Sequence, residues 1–534
     1  MKILIVDALA SNDGKRKFTR DVIGVGPRLL AGICEYKNIY SKVIRAENLL
    51  SRNHNYDLTS FDAFLISGMS VDEIAVIEIV RMLKTEIMLP KIFVGGPVTS
   101  DVDFVSQLKV TAAVQGQGEL FLDKLIENKF EILSFIENNR EQFEIEKIGK
   151  TYLIKEKKVK GYYIFNYNPS TKVITDYEEY WFARVYVETV RGCSNFIRGE
   201  LVQEKGLCPD CGFCTDSVER EVELIDCPAN IPPGCGFCSV PTTFGAPISR
   251  PHELIVKEIR ELFDLGVNRI VLSAPGFLDY MRGKDGQVVS PSYPEPNIQA
   301  IEQLLSELAE IRDEKPNRSI IIENVKPTLI NKQVAESLGK YLPGTPISIG
   351  CETFDEELSR KLGRPSSPER AIKAAKLLTE AGLKPQIYLI HSLPGETVSA
   401  LEKTTDVIRK RLWNVADKVT VYKYLALPNS PFTKMNVSSP PERYLLHKKR
   451  EELKQTIISF NKEKKKELIG KTETVIIAEK DFKRKNTYIG YFINAGPAVS
   501  IESESDILKR IARVKITDAL SDKLVKAEVV ELLQ

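Results

Sequence analysis

Short apolar runs separated by amphipathic stretches fill residues 1–145. KILIV, DAFLISG, KIFVGG and TAAVQ each read as a buried strand, and between them Gly26–Tyr36 and Asp72–Lys84 repeat apolar residues at helical spacing. Strands that alternate with helices pair in parallel through crossovers, so this stretch predicts a doubly wound, Rossmann-like α/β sheet. Gly68, Gly95, Gly96, Gly116 and Gly118 fall just past strand ends, where such sheets bind ligands or merely turn. Residues 146–181 alternate polar and aromatic positions and predict a hairpin linker. From 182 to 440 strand and helix alternate again, through FARVYVETV, NRIVLSA, SIIIENV, PISIGCET and PQIYLIHS, which predicts a second parallel α/β unit. Over 441–467 a helical stretch is rich in Lys and Arg, most simply a solvated charged face. Four β-rich segments within 468–534 predict a small β-barrel.

Composition narrows this picture only a little. A net charge of +2 over 534 residues supplies no global field for nucleic acid or anionic lipid. No apolar run reaches the roughly 20 residues of a membrane span, and MKILIVDALA lacks the layout of a signal peptide. A cytoplasmic protein is expected, peripheral at a membrane if its substrate is a lipid. Cysteine changes the picture more. Seven of the nine cysteines lie between Cys193 and Cys238. In a reducing compartment such a cluster holds metal more often than disulfides.

Arg191-Gly192-Cys193 follows directly on a strand, and Gly234-Cys235-Gly236-Phe237-Cys238-Ser-Val-Pro leads into a helix. On these flanks the chain resembles the radical-SAM superfamily, with 194–234 as an insert between the first cysteine and the other two. The resemblance implies a partial (β/α)6 barrel. It also implies Cys193, Cys235 and Cys238 as ligands of a 4Fe–4S cluster whose open iron binds S-adenosylmethionine, with Cys227 as the alternative to Cys193. Cys208, Cys211, Cys214 and Cys227 then suit a second 4Fe–4S cluster or another tetrathiolate metal, zinc or a single iron. Ser273 to Asp279 stands where the family has its Gly-Gly-Glu, so backbone carbonyls around Ser273 are expected to take the methionine amino group. Gly350-Cys351-Glu352-Thr353 resembles the strand end that implies Glu352 for the ribose. Lys361-Leu-Gly-Arg364 implies Arg364 for the methionine carboxylate, a pairing its planar fork suits. Leu393-Pro-Gly-Glu-Thr397 implies Gly395 beside the cofactor, and Phe237 belongs to the cluster loop. His391 is a candidate for proton transfer and Cys351 for hydrogen donation to a radical; a core histidine and a buried small hydrophobe are the plain alternatives.

The first domain resembles the cobalamin-binding domain found ahead of many such cores. That family's Asp-x-His-x-x-Gly stands here as Asp7-Ala-Leu-Ala-Ser-Asn, without histidine, so a fold retained without cobalamin stays open beside one that binds it. The end of the chain, from Gly470-Lys-Thr to VKITDA, resembles the TRAM domain of tRNA-modifying enzymes, in which Tyr488, Tyr491 and Phe492 would be base platforms or barrel core. The resemblance implies an enzyme that forms a 5′-deoxyadenosyl radical and takes hydrogen from an unactivated carbon. An electron donor such as ferredoxin or flavodoxin goes with it. For the acceptor, C–C bond formation in archaeal tetraether lipids is expected first. RNA methylthiolation or methylation, and cobalamin-dependent C-methylation, are the alternatives.

Overall fold

Ile3, Leu4, Ile5 and Val6 have no exposed surface, because the strand Lys2–Asp7 is covered on both faces. It lies second in a seven-stranded sheet in the order Tyr40–Arg45, Lys2–Asp7, Ala63–Ser67, Ile92–Gly95, Ala112–Gln115, Thr151–Glu156, Phe143–Ile148. All neighbours are parallel except the last pair. This is the doubly wound sheet expected for the first domain, with one correction. The hairpin does form, but over Phe143–Ile148 and Thr151–Glu156, and it is the edge of this sheet and not a linker. Its second strand carries Leu153 and Ile154, both buried, so the apolar alternation there serves this core. A computed structural model describes residues 1–16, 20–52, 54–157, 164–208, 227–433, 435 and 443–533. They divide into one unit of Met1–Val187 with Pro251–Val267 and a second of Glu188–Arg250 with Asn268–Gln534.

In the first unit the strand-end glycines do two different things. Gly96, at φ +89°, leaves room for the Gly68 carbonyl, which a Cβ would meet at 2.6 Å. Gly95, Gly116 and Gly118 face open space, where a Cβ would meet nothing within 4 Å. The loop after the first strand is tied down by Asp72, whose carboxylate accepts the backbone N–H groups of Ala10 (3.0 Å), Asn12 (2.8 Å) and Met69 (2.8 Å). His54 sits elsewhere, in the connection before the strand Ala63–Ser67, stacked on Tyr56.

The second unit is the partial α/β barrel followed by a closed β-barrel. Arg269–Ser273 pairs parallel with Ser319–Ile322. Asn324–Val325, Pro346–Glu352, Lys384–His391 and Lys418–Lys423 continue as a parallel sheet in that order. Four intervening helices start on side-chain caps, Asn297 to Ala300, Asn331 to Val334, Ser367 to Arg370 and Thr397 to Ala400, each worth about 1 kcal/mol. Burial alternates strictly along Lys384–His391. Ile387, Leu389 and His391 share one buried face with Ile347, Ile349, Cys351 and Val419 of the neighbouring strands, and the helix Pro368–Glu380 packs on these strands. Asn324, Ser348, Gly350, Gln386, Tyr388 and Thr420 share the opposite, inner face, in the registers Asn324–Ser348–Gln386 and Gly350–Tyr388–Thr420.

The sheet ends at Lys418–Lys423, and the basic helix Arg443–Lys466 lies along it. Asn461 there accepts the Val419 N–H at 2.9 Å and donates to the Val419 carbonyl at 2.7 Å. The helix's cations meet acids of this unit, Arg450 with Glu396 at 2.6 Å and Lys449 with Glu402 at 2.9 Å. The terminal strands close into a five-stranded barrel in which Tyr488 and Phe492 are core residues, and Tyr491 donates to Glu479. Tyr488 and Phe492 therefore fill the barrel core, while Tyr491 is half-buried. Among the described residues no helix is long and apolar enough to cross a membrane.

Candidate active site

Cys193 sits just past the short strand Val190–Arg191. Gly192 takes φ +90°, and a Cβ there would stand 2.5 Å from the Ala246 carbonyl oxygen; the Cys193 N–H closes the turn on the Gly245 carbonyl at 3.0 Å. Cys235 and Cys238 lie on a second turn, closed by the Cys238 N–H on the Cys235 carbonyl at 2.8 Å. That turn is pinned from both sides: the Gly236 N–H donates to Leu362 at 2.8 Å, and its carbonyl accepts the Phe432 N–H at 2.8 Å. A Cβ on Gly236 would stand 2.0 Å from the Phe432 ring. Gly236→Ala is therefore expected to unseat the turn at a cost of about 1–3 kcal/mol, lowering the thermal midpoint, and Phe432→Leu in the same chain recovers part of it.

Asn195 joins the two loops. Its backbone N–H reaches the Cys193 sulfur at 3.5 Å and its amide the Cys235 sulfur at 3.1 Å, with a further bond to the Gly363 carbonyl at 3.1 Å. Burial, then the nearby Cys235 and Cys193 sulfurs, push the Cys238 thiol up to about 12, and burial raises that of Cys193 too. These three sulfurs thus crowd one another in an apolar place, where only a positive ion or cluster stabilises them as thiolates. Among the described residues no group of three or more His, Cys, Asp and Glu side chains is placed to hold a single metal ion; three neighbouring thiols are the donor set that a 4Fe–4S cluster with one open iron would take.

Arg364 borders the same sulfurs. It donates to Cys235 at 3.2 Å and to the Gly350 carbonyl at 2.8 Å, and its Nη2 lies 3.5 Å from Glu352. Burial opposes its charge, but the Cys235 and Glu352 charges outweigh that and hold the guanidinium protonated. Its Nε is buried without a hydrogen-bond partner, an orphan donor that an incoming carboxylate would satisfy. Glu352 reaches this place through a bulge: the register shifts between Gly350 and Glu352, and Glu352 takes φ +69°. A side chain at Gly350 would stand 2.8 Å from the Glu352 carboxylate and 3.1 Å from Arg364.

Other expected residues are placed differently. The Ser273 carbonyl is already taken by the Thr189 N–H and hydroxyl at 2.9 and 3.1 Å, while the Ser273 hydroxyl donates to Glu323 at 2.7 Å. Glu323, not a free backbone carbonyl, is the acid at that strand end. Gly395 turns at φ +79°, and a Cβ there would meet Leu201 at 3.5 Å and Leu358 at 3.7 Å. Phe237 lies between the Arg364 guanidinium, 5.8 Å from its ring, and an apolar cluster that also takes in Cys208 and Cys227. Cys208 and Cys227 thus both pack on this apolar cluster, whereas Cys211 and Cys214 lie outside the described residues. Cys193, Cys235 and Cys238 lie near enough to act on one another electrostatically.

Cys351 donates to the Thr353 carbonyl at 3.2 Å on the helix-covered face, and His391 occupies that face too, its ring 2.9 Å from the Ser392 hydroxyl. Neither side chain opens toward the inner face. Burial first, then Lys454, Arg450 and Lys423, lower the His391 pKa to about 4, so it is neutral where an unfolded histidine begins to protonate. Its contribution to stability is complete above about pH 6.5 and is lost as pH falls toward 4. His391→Gln is expected to flatten the drop in urea midpoint across that window.

Fold and site together define the class. Residues 227–408 match the family model described as radical SAM superfamily, and the chain is an enzyme of that superfamily. More narrowly, it belongs to the family of the uncharacterized protein MJ1620 of Methanocaldococcus jannaschii, 39% identical over 528 residues that cover 97% of each chain. Its fold is similar to that of the radical S-adenosylmethionine methyltransferase TsrM from Kitasatospora setae, solved with cobalamin and a 4Fe-4S cluster, with a TM-score of 0.53 at 14% identity over 80% of this chain and 73% of that one. The ribosomal protein uS12 methylthiotransferase RimO of Heliobacterium modesticaldum is 26% identical over 250 residues, 46% of this chain and 50% of that one.

Proposed function

We propose that the enzyme replaces a C–H bond of a polar substrate with a C–C bond by transferring a methyl group. One observation carries the reading. The inner face of the sheet that ends at Glu352 and Arg364 presents Asn324, Ser348, Gln386, Tyr388 and Thr420, and the Thr420 hydroxyl is buried without a partner. A hydrocarbon against this face would leave polar groups unpaired, at about 1–3 kcal/mol each, whereas a polar substrate pairs them. The expectation of a tetraether lipid finds no support on this face.

A 4Fe–4S cluster with S-adenosylmethionine supplies a 5′-deoxyadenosyl radical when bound. Cys193, Cys235 and Cys238 would hold it, Asn195 and Arg364 donating to the Cys235 sulfur. Arg364 offers its orphan Nε to the methionine carboxylate, and Glu352 offers its carboxylate to the ribose. Glu323, oriented by Ser273, is the acid available to the methionine amino group. Cobalamin would supply the methyl carrier; the open glycine edge of the first unit has room for a flat group, but no histidine stands in the loop that Asp72 holds. TsrM is a methyltransferase; methylthio transfer, the activity of RimO, is the second reading, supported by the presence of Cys208 and Cys227 on the apolar cluster beside Phe237.

Anaerobic reconstitution with iron, sulfide and cobalt analysis tests this, together with incubation with methyl-labelled S-adenosylmethionine and separated lipid, protein and RNA fractions. Label in a water-soluble product, with 5′-deoxyadenosine formed alongside, is expected. Label confined to lipid overturns the reading, and sulfur arriving with the methyl group moves it to methylthio transfer.

A further inference from the structure

Directly after Cys193 lies a set of buried charges that the proposed chemistry leaves unused. The Ser194 hydroxyl, with no exposed surface, donates to the two Asp279 oxygens at 3.0 and 3.2 Å. Lys326 donates to Ser194 Oγ at 2.7 Å and pairs with Asp279. Arg282 reaches the other Asp279 oxygen at 3.2 Å and is fixed by the carbonyls of Ser290 (2.6 Å) and Pro291 (3.3 Å). Asp279 and Arg282 are each 2% exposed and Lys326 is 8% exposed. Two cations therefore face the Asp279 carboxylate, and the exposed Glu295 acts on Arg282 as well, so it is the buried group of Asp279, Arg282 and Lys326 that carries one net positive charge. A Cβ on Gly276 would stand 3.2 Å from the Lys326 side chain, so the loop after Ser273 is shaped to let the lysine pass.

Such a group is expensive to desolvate unless something negative lies beside it. Ser194 is the residue after Cys193, so this group lies against the Cys193 turn, and the sulfur, once it ligates a cluster, would be its negative neighbour. On the other side of the sulfurs Arg364 is balanced by Glu352. Among the described buried groups, cations thus outnumber carboxylates on the Cys193 side.

We infer that Lys326, with Asp279 and Arg282, is a positioning group that sets the reduction potential of the cluster held by Cys193, Cys235 and Cys238. The inference rests on that ligand assignment. Reduction adds one negative charge to the cluster, and a fixed cation in a low-dielectric place beside a ligating sulfur favours the reduced form. Lys326 also orients the Cys193 loop through Ser194. It touches no substrate and makes or breaks no bond.

The test is a redox titration of the reconstituted full-length protein, followed by electron paramagnetic resonance without S-adenosylmethionine. Lys326→Met removes the positive charge and is expected to move the midpoint to a more negative potential; Lys326→Arg returns it toward the original value. Asp279→Asn removes the negative charge and moves the midpoint the opposite way. Iron and sulfide content equal to the unaltered protein accompanies each shift. Unchanged midpoints in Lys326→Met and Asp279→Asn with full clusters overturn the inference, as do shifts of the same sign in both, which is what mere loosening of the loop gives. Asp279→Asn carries the sign test alone if Lys326→Met does not fold. An unaltered protein that takes up no iron overturns the ligand assignment instead.

Discussion

Cys235→Ala is expected to abolish S-adenosylmethionine cleavage completely, and Cys227→Ala to leave it intact. The Cys235 sulfur is the acceptor on which Asn195 and Arg364 converge, at 3.1 and 3.2 Å. Two remaining thiolates leave two irons without protein ligands, so the loss is not a graded one. Stability falls as well: two buried donors lose their acceptor, at about 1–3 kcal/mol for each group left unpaired. Cleavage is read as 5′-deoxyadenosine released after reduction with dithionite, and stability by thermal melting of the metal-free protein. Cleavage that survives in Cys235→Ala and disappears in Cys227→Ala would exchange the two cysteines' assignments.

The second large effect is expected at Arg364. Arg364→Met leaves Glu352 buried without its cation, which costs about 3–5 kcal/mol. It also removes the orphan Nε that the methionine carboxylate would take, so S-adenosylmethionine binding measured by calorimetry is lost with it. The pH dependence distinguishes this from simple packing loss. Burial already raises the Glu352 pKa and Arg364 lowers it, so losing Arg364 raises it further. The folded state then holds the Glu352 proton more tightly than the unfolded state, and stability falls as pH climbs above the ordinary carboxylate range. The urea midpoint of Arg364→Met should therefore drop more steeply from pH 4.5 to 7 than that of the unaltered protein. Adding Glu352→Leu to Arg364→Met restores the midpoint and removes the slope, while binding stays lost.

Much of this was legible in the sequence because it lies in local pattern. Unbroken apolar runs such as KILIV can only be strands covered on both faces, and the turns around Cys193 and Cys235 carry their glycines at the positions that need them. Side-chain parity was legible too. Cys351 follows Ile347 and Ile349 at steps of two, and His391 follows Ile387 and Leu389, which already assigns both to the buried face. Proximity to Glu352 and to a strand end hid that signal. The bulge at Gly350–Glu352 was not legible, because it reverses the parity of one residue through a backbone angle. Nor was Asn195, a polar residue of ordinary type whose meaning comes from two sulfurs separated from each other by 41 intervening residues. Lys326 and Asp279, 47 positions apart, meet only once the parallel strands are in register. The hairpin boundary failed for a simpler reason: alternation reports a half-covered strand and does not say which sheet covers it.

A half-barrel must stop somewhere, and its last strand offers unpaired peptide groups to any extended chain nearby. Asn461 answers this with one carboxamide, which meets both peptide groups of Val419 as a neighbouring strand would. The sheet is thus terminated by a helix-borne imitation of backbone. Ended in this way, the sheet does not invite an extended chain, or a second copy of itself, to add on as one more strand. Selection at this margin falls on a residue far from the thiols, and its loss would show first as aggregation, with the chemistry of each remaining soluble molecule unchanged.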